Sequence, residues 1–211
     1  MLTLGVDIGG TKVLAGLVDR RLRIVREIRT PLDSRMRATV LRSIEAGIAP
    51  LMTRQVRAIG IGTTGLVNTR RGIVSATSNM PRSWRRVPLR SILSRRFRVP
   101  VFVDNDAHCF ALAEAVVGLG RRYHTVLGLT IGTGVGVGLV VDGRLYRGGW
   151  NATEFGHTTV SAGSERCGCG MRGHLESIVS GPAMAHAYRR LANRRCTPRE
   201  VEALANRGDR R

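Results

Sequence analysis

Asp104, Asn105 and Asp106 set two carboxylates around one amide. They follow the apolar run Val99 to Val103 and precede the apolar-periodic stretch Ala107 to Val117. A carboxylate at a strand end and helix start can cap the helix or take a proton as a general base. A cap uses one side chain of the three, which leaves a carboxylate over as a candidate base. A second reactive group is His157, Cys167, Cys169 and His174, with one histidine ten residues before the Cys-x-Cys pair and the other five after it. A Cys-x-Cys pair alone is usually a tight turn. With two flanking histidines in a glycine-rich segment, it has the ligand types of a structural zinc site, all four positions filled by protein. A third stretch, Asp7-Ile8-Gly9-Gly10-Thr11-Lys12, puts two glycines beside a hydroxyl and an ammonium. Adjacent glycines let backbone N–H groups converge on an anion, which suits a phosphate.

The elements that must hold these residues are legible from hydropathy. Leu2 to Val6, Val13 to Val18 and Arg23 to Thr30 read as a β-meander whose first turn is the glycine stretch. Arg35 to Thr53, with Met36, Val40, Leu41, Ile44 and Ile48 on one side, reads as a helix covering that sheet. Ala58 to Gly62 is a short strand, followed by a turn through Gly65, and Leu89 to Phe97 is a helix. Between them Ser75 to Trp84 has no clear period. Its Asn79, Pro81 and Trp84 would suit a small polar ligand such as a sugar, but composition alone favours a surface loop. Ile178 to Leu191 and Pro198 to Ala205 read as helices. Leu4 to Leu22 recurs without a gap at Leu127 to Leu145, with eight identities in nineteen positions. That pattern predicts a duplicated hairpin module, two sheets each offering a glycine turn to one cleft.

The chain has 211 residues, 26 glycines and a net charge of +19, carried almost wholly by arginine; Lys12 is its one lysine. Such charge attracts polyanions, polyphosphate included. The arginines are spread evenly and aromatics are only 4%, so there is little on which to stack bases and no specific nucleic-acid partner is expected. No apolar run approaches ~18 residues, so no membrane span is expected. Met1 leads directly into a strand pattern, from which a cytoplasmic location is expected. The four cysteines do not form an extracellular disulfide pattern.

Together these motifs resemble the ROK family of sugar kinases and repressors, with an α/β, actin-like ATPase (ribonuclease H-like) fold. Asp7-Ile8-Gly9-Gly10-Thr11-Lys12 is similar to the family's first phosphate motif and Ile131-Gly132-Thr133-Gly134 to its second. Asn105-Asp106-Ala107 is similar to its catalytic triplet. Glu154-Phe155-Gly156-His157, Cys167-Gly168-Cys169-Gly170 and Glu176 are similar to its signature. Residues 104–115 and 125–139 look most like the N-acetyl-D-glucosamine kinase branch. The resemblance implies that Asp106 is the base for a sugar C6 hydroxyl attacking ATP. It implies that Asn79, Asn105, Glu154, His157 and Glu176 hold the sugar, with His157 also ligating zinc beside Cys167, Cys169 and His174. Gly5, Val6, Asp7, Ile8, Gly9, Gly10, Thr11 and Lys12, with Gly132, Thr133, Gly134, Val135, Gly136, Val137, Gly138 and Leu139, would bind the nucleotide, and Mg²⁺ would sit near Asp7. Residues 1–104 would form an N-terminal lobe, and residues 105–211 an incomplete C-terminal lobe. Family members continue past this C-terminus, so apolar surface on the second sheet is expected to be bare. A homodimer is also implied.

Four positions depart from the family pattern. His174 stands where a third cysteine is usual, Arg82 where a glycine is usual, His108 where an asparagine is usual, and Thr153 where a glycine is usual.

Overall fold

Within residues 1–77, 80–149, 152–163 and 165–209, which the computed structural model describes, the chain runs as follows. First come β1 (Leu2–Ile8), β2 (Lys12–Val18), β3 (Ile24–Pro31), α1 (Arg37–Ile48), β4 (Val56–Thr63), β5 (Leu66–Asn68) and β6 (Ile73–Ala76). Then come α2 (Leu89–Phe97), β7 (Val101–Asn105), α3 (Asp106–Val116), β8 (Thr125–Ile131), β9 (Val135–Val141) and β10 (Arg144–Leu145). The chain closes with α4 (Glu176–Val179), α5 (Gly181–Ala192) and α6 (Pro198–Asn206).

Alternation in β1 sends Leu4, Val6 and Ile8 to one side, where they are buried with Val13 and Ala15 of β2. The same core takes Val40, Ile44 and Ile48, one stripe of α1, and Leu89 and Leu93 of α2. The first sheet has the order β3-β2-β1-β4-β7, antiparallel through β1 and then parallel to β7. The second sheet, β10-β9-β8, is an antiparallel meander.

The duplicated module is visible at the level of strands. β8 and β9 occupy the stretches that correspond, residue for residue in the sequence repeat, to β1 and β2. The turns differ by one residue: Ile8 pairs with Val13, but Ile131 pairs with Val135. The shorter second turn therefore shifts the register of its hairpin by one position.

Helix α3 packs on both sheets. It can do so because the strands beneath it carry glycine. A Cβ on Gly138 would lie 2.6 Å from both the Ala107 carbonyl oxygen and the Ala111 Cβ. On Gly128 it would lie 2.7 Å from the Ala111 Cβ, and on Gly136 2.8 Å from the Ala107 Cβ. On the other side, a Cβ at Gly62 would touch Asp106 and Cys109 at 3.5 Å. Glycine facing alanine brings backbone to backbone, and side chains of ordinary size would hold the helix off.

The far face of β8 is bare: Leu127, Leu129 and Ile131 are 56%, 47% and 52% exposed. This is the apolar surface expected from the sequence. Three features differ from the sequence reading. Leu66 to Ala76 contains a small antiparallel hairpin, β5 with β6, whose strands are too short to show a period. Trp84 is fully buried in the first core instead of lying on a surface loop or in a ligand site. The helix expected from Ile178 is broken at Ser180. The Ser180 hydroxyl accepts the Ala183 N–H at 3.4 Å, and a proline follows at the start of α5. No helix among the described residues is long and apolar enough to cross a membrane.

Gly138→Ala is expected to cost about 1–3 kcal/mol or more, because the helix must move or the strand must bend. Gly60→Ala, where a Cβ meets nothing within 4 Å, is expected to stay within about 0.5 kcal/mol of the parent. Denaturant melts of both variants test this.

Candidate active site

The three polar residues at the end of β7 divide the work. Asn105 is the helix cap: its Oδ1 accepts the N–H groups of Ala107 and His108 at 2.9 and 3.2 Å, and its Nδ2 donates to the Gly65 carbonyl at 3.2 Å. Asp104 turns inward. Its Oδ1 accepts the Asn105 N–H at 2.8 Å and the His108 Nδ1–H at 2.9 Å, and its Oδ2 accepts the Arg147 guanidinium. Burial alone would raise the Asp104 carboxyl, but these donors overcome it and hold the group below its ordinary value of 3.8. Asp106 is the first residue of α3 and stands exposed.

Asp106 opens onto a cleft of about 1030 Å³. Gly9 and Gly10 line it from the first hairpin, and Gly132, Thr133, Gly134, Val135 and Gly136 from the second. Asn105, Glu154, His157 and Glu176 complete the wall. The structure therefore brings together the candidate base, both glycine turns and four of the five expected sugar ligands. Asn79 lies outside the described residues. Gly5 and Asp7 face instead a second groove of about 790 Å³ on the open side of the first sheet, which Asp106 also borders, while the Val6 side chain lies in the core. Their backbone is paired on both sides, to β2 and to β4, so β1 has no free N–H groups for an anion there. The side chains of Ile8 and Val137 are buried. Gly138 serves the approach of α3. The cleft-facing set is thus narrower than the sequence motifs, and centres on the two turns.

Asp7 and Asp106 face each other closely enough to matter electrostatically. Desolvation and then the Asp106 charge raise the Asp7 carboxyl, with Lys12 opposing. A divalent cation held by Asp7 would relieve that repulsion. Behind them, burial and the charges of Asp104 and Asp106 push the Cys109 thiol up to about 12. It is a neutral packing group, not a nucleophile.

The His/Cys segment folds into a knuckle. The Gly170 N–H donates to the Cys167 carbonyl at 2.9 Å and the Cys167 N–H to the Met171 carbonyl at 2.8 Å. Gly170 and Gly173 take left-handed conformations, φ +98° and +76°. His157, Cys167, Cys169 and His174 each present one donor atom, all four within 4.8 Å of one another. Cys167 Sγ is 3.6 Å from His157 Nδ1, and Cys169 Sγ is 3.3 Å from His174 Nδ1. Ligand edges of this length fit a tetrahedron around zinc with bonds of about 2.0 to 2.3 Å. His174 reaches the cluster despite its departure from the usual cysteine. Burial first, with the Cys169 thiol and Glu176 adding, pushes the Cys167 thiol up to about 11. Glu176 ties this knuckle to the second glycine turn: its Oε1 accepts from Cys167 Sγ at 3.3 Å and its Oε2 accepts the Val135 N–H at 3.0 Å.

Several cleft residues escaped the sequence motifs. Thr64, Gly65 and Leu66 come from the turn after β4 and Arg85 from the loop before α2, which also brings in Arg82, already noted as a departure from the family pattern. The Thr64-Gly65 turn was a visible signal, whereas nothing local marked Arg85.

The chain matches the ROK family over residues 3–211. It is 36% identical over 209 residues to a glucokinase of Streptomyces coelicolor, covering 99% of this chain and 65% of that one. It is 36% identical over 218 residues to an N-acetyl-D-glucosamine kinase of Salmonella arizonae, covering 97% of this chain and 71% of that one. A solved ROK family glucokinase from Streptomyces griseus, in complex with glucose and AMPPNP, superposes with a TM-score of 0.82 at 36% identity. That alignment covers 99% of this chain and 66% of the other. The chain thus spans about two thirds of the length of these relatives.

Asp104 contributes stability that is complete above its ordinary value of 3.8 and is lost as the pH falls through its depressed folded value. Asp104→Asn is expected to cost about 2–4 kcal/mol at neutral pH. Its deficit should narrow on acidification below 3.8. Unfolding curves over a pH series check both statements.

Proposed function

The chain belongs to the ROK family and has its actin-like ATPase fold, and on that premise we propose that it is a sugar kinase. It transfers the γ-phosphoryl group of ATP to the C6 hydroxyl of a hexose or N-acetylhexosamine. N-acetyl-D-glucosamine leads as acceptor, and glucose is second. The observation that carries this is the position of Asp106, an exposed carboxylate at a helix start, in a cleft shared by two glycine turns and by Asn105, Glu154, His157 and Glu176.

Asp106 accepts the proton of the attacking hydroxyl. Backbone N–H groups of the two turns hold the transferring phosphates by charge-assisted hydrogen bonds. Glu154, His157, Glu176 and the remaining N–H of Asn105 pair with sugar hydroxyls, which rejects analogues that leave them unsatisfied. Mg²⁺, held near Asp7, neutralises phosphate charge when bound. His157, Cys167, Cys169 and His174 would hold a structural zinc, which would fix the ring of His157 and leave its other nitrogen for the sugar.

The test is ATP consumption by the chain with a panel of hexoses and N-acetylhexosamines, run with and without competing inorganic polyphosphate. Turnover with one sugar supports the proposal and names the acceptor, and no turnover with any of them counts against it. Asp106→Asn is expected to lower transfer by about 10²–10⁴-fold while sparing sugar affinity. Equal turnover in that variant would refute the role of the carboxylate.

Metal analysis of the purified chain is expected to find one zinc per molecule, the number of such clusters among the described residues. Cys169→Ala should lose it, with a lower melting temperature.

A further inference from the structure

Two of the four departures from the family pattern meet each other. His108 on α3 and Thr153, just before Glu154, are 45 residues apart in sequence, and His108 Nε2 lies 2.7 Å from Thr153 Oγ1. Both are almost fully enclosed, at 4% and 2% exposure. An ionised carboxylate only accepts, so the His108 Nδ1–H donates to Asp104 Oδ1 at 2.9 Å. In the neutral ring, Nε2 then accepts the Thr153 hydroxyl proton. A second tie runs alongside, from Asp104 Oδ2 to the guanidinium of Arg147. Arg147 belongs to the same segment as Thr153, and its carbonyl accepts the Ala152 N–H at 3.2 Å.

We propose that the buried His108–Thr153 pair, with Asp104 and Arg147 behind it, is a positioning clamp that sets Glu154 and His157 in register with Asp106. The proposal rests on the sugar-kinase function for its consequence, but not for its geometry. Asp106 begins α3 and His108 lies two residues further on, while Glu154 directly follows Thr153. The clamp therefore joins the residue next to a sugar ligand to the helical turn that carries the base. A hydroxyl in a dry site cannot find another partner cheaply, so the pair has one geometry. A displacement of about 1 Å between a sugar ligand and a base can cost 10²-fold in rate. His108 and Thr153 are positioning residues that act through Glu154 and Asp106.

The test uses the whole chain and three variants: Thr153→Val, which keeps shape and loses the hydroxyl; Thr153→Ser, which keeps the hydroxyl; and His108→Asn. Two quantities are measured, amide hydrogen exchange and the calorimetric affinities for glucose and N-acetyl-D-glucosamine. Thr153→Val and His108→Asn are expected to speed exchange about tenfold at residues 154–157 and in the first turn of α3, leaving β8 and β9 unchanged. The same two variants should weaken sugar binding about tenfold, with Thr153→Ser close to the parent. Unchanged exchange in Thr153→Val would overturn the proposal. So would acceleration spread evenly over the second sheet, or an equal loss in Thr153→Ser. Local acceleration with parental sugar affinity would also overturn it, because the pair would then be structural only. A parent chain that binds neither sugar, while its variants show the localised exchange, would uphold the clamp and refute the sugar-kinase function.

Discussion

Everything in the site depends on how closely one helix can approach two sheets. Gly128, Gly136 and Gly138 lie under Ala107 and Ala111, and Gly62 lies under Asp106 and Cys109. With side chains removed from the strands and reduced to methyl groups on the helix, α3 settles at near-backbone contact. Its N-terminus then falls between the two hairpin turns. A bulkier interface would keep the hydrophobic contact and lose this placement, because the dense interior leaves no slack to take up the added volume.

Given that placement, the chemistry of the β7–α3 junction sorts itself by satisfaction of hydrogen bonds. Asn105 spends its oxygen on the helix N-terminus. Asp104 has both oxygens engaged and is held ionised by His108, Arg147 and a backbone N–H. Asp106 is the carboxylate that the cleft receives. Two acids around one amide thus serve three purposes: a hub bonded to His108 and Arg147, a helix cap, and a carboxylate presented to the cleft.

The knuckle extends the same network to the far wall. Glu176 touches a thiol of the His/Cys cluster with one oxygen and the start of β9 with the other. The Gly181 N–H donates to the Gly132 carbonyl at 2.8 Å, so α5 is also pinned to the second turn. The glycine turn is therefore held from behind by α5 and from the side by Glu176.

Sequence by itself determined the local elements and the reactive sets. The repeat at Leu4 and Leu127 predicted paired hairpins, and β1–β2 and β8–β9 occupy corresponding stretches. The capping role among residues 104–106 was legible because a cap involves only neighbours in the chain. The spacing of His157, Cys167, Cys169 and His174 marked a candidate ligand set, and the fold brings their donor atoms within 4.8 Å of one another. Tertiary structure alone decided which members of the glycine motifs face the cleft and which serve α3, since φ-permissive residues and close-packing residues look identical in sequence. It alone buried Trp84, and it alone joined His108 to Thr153. Contacts between residues far apart along the chain depend on how sheets and helices dock, and hydropathy periodicity within one element carries no information about its partner.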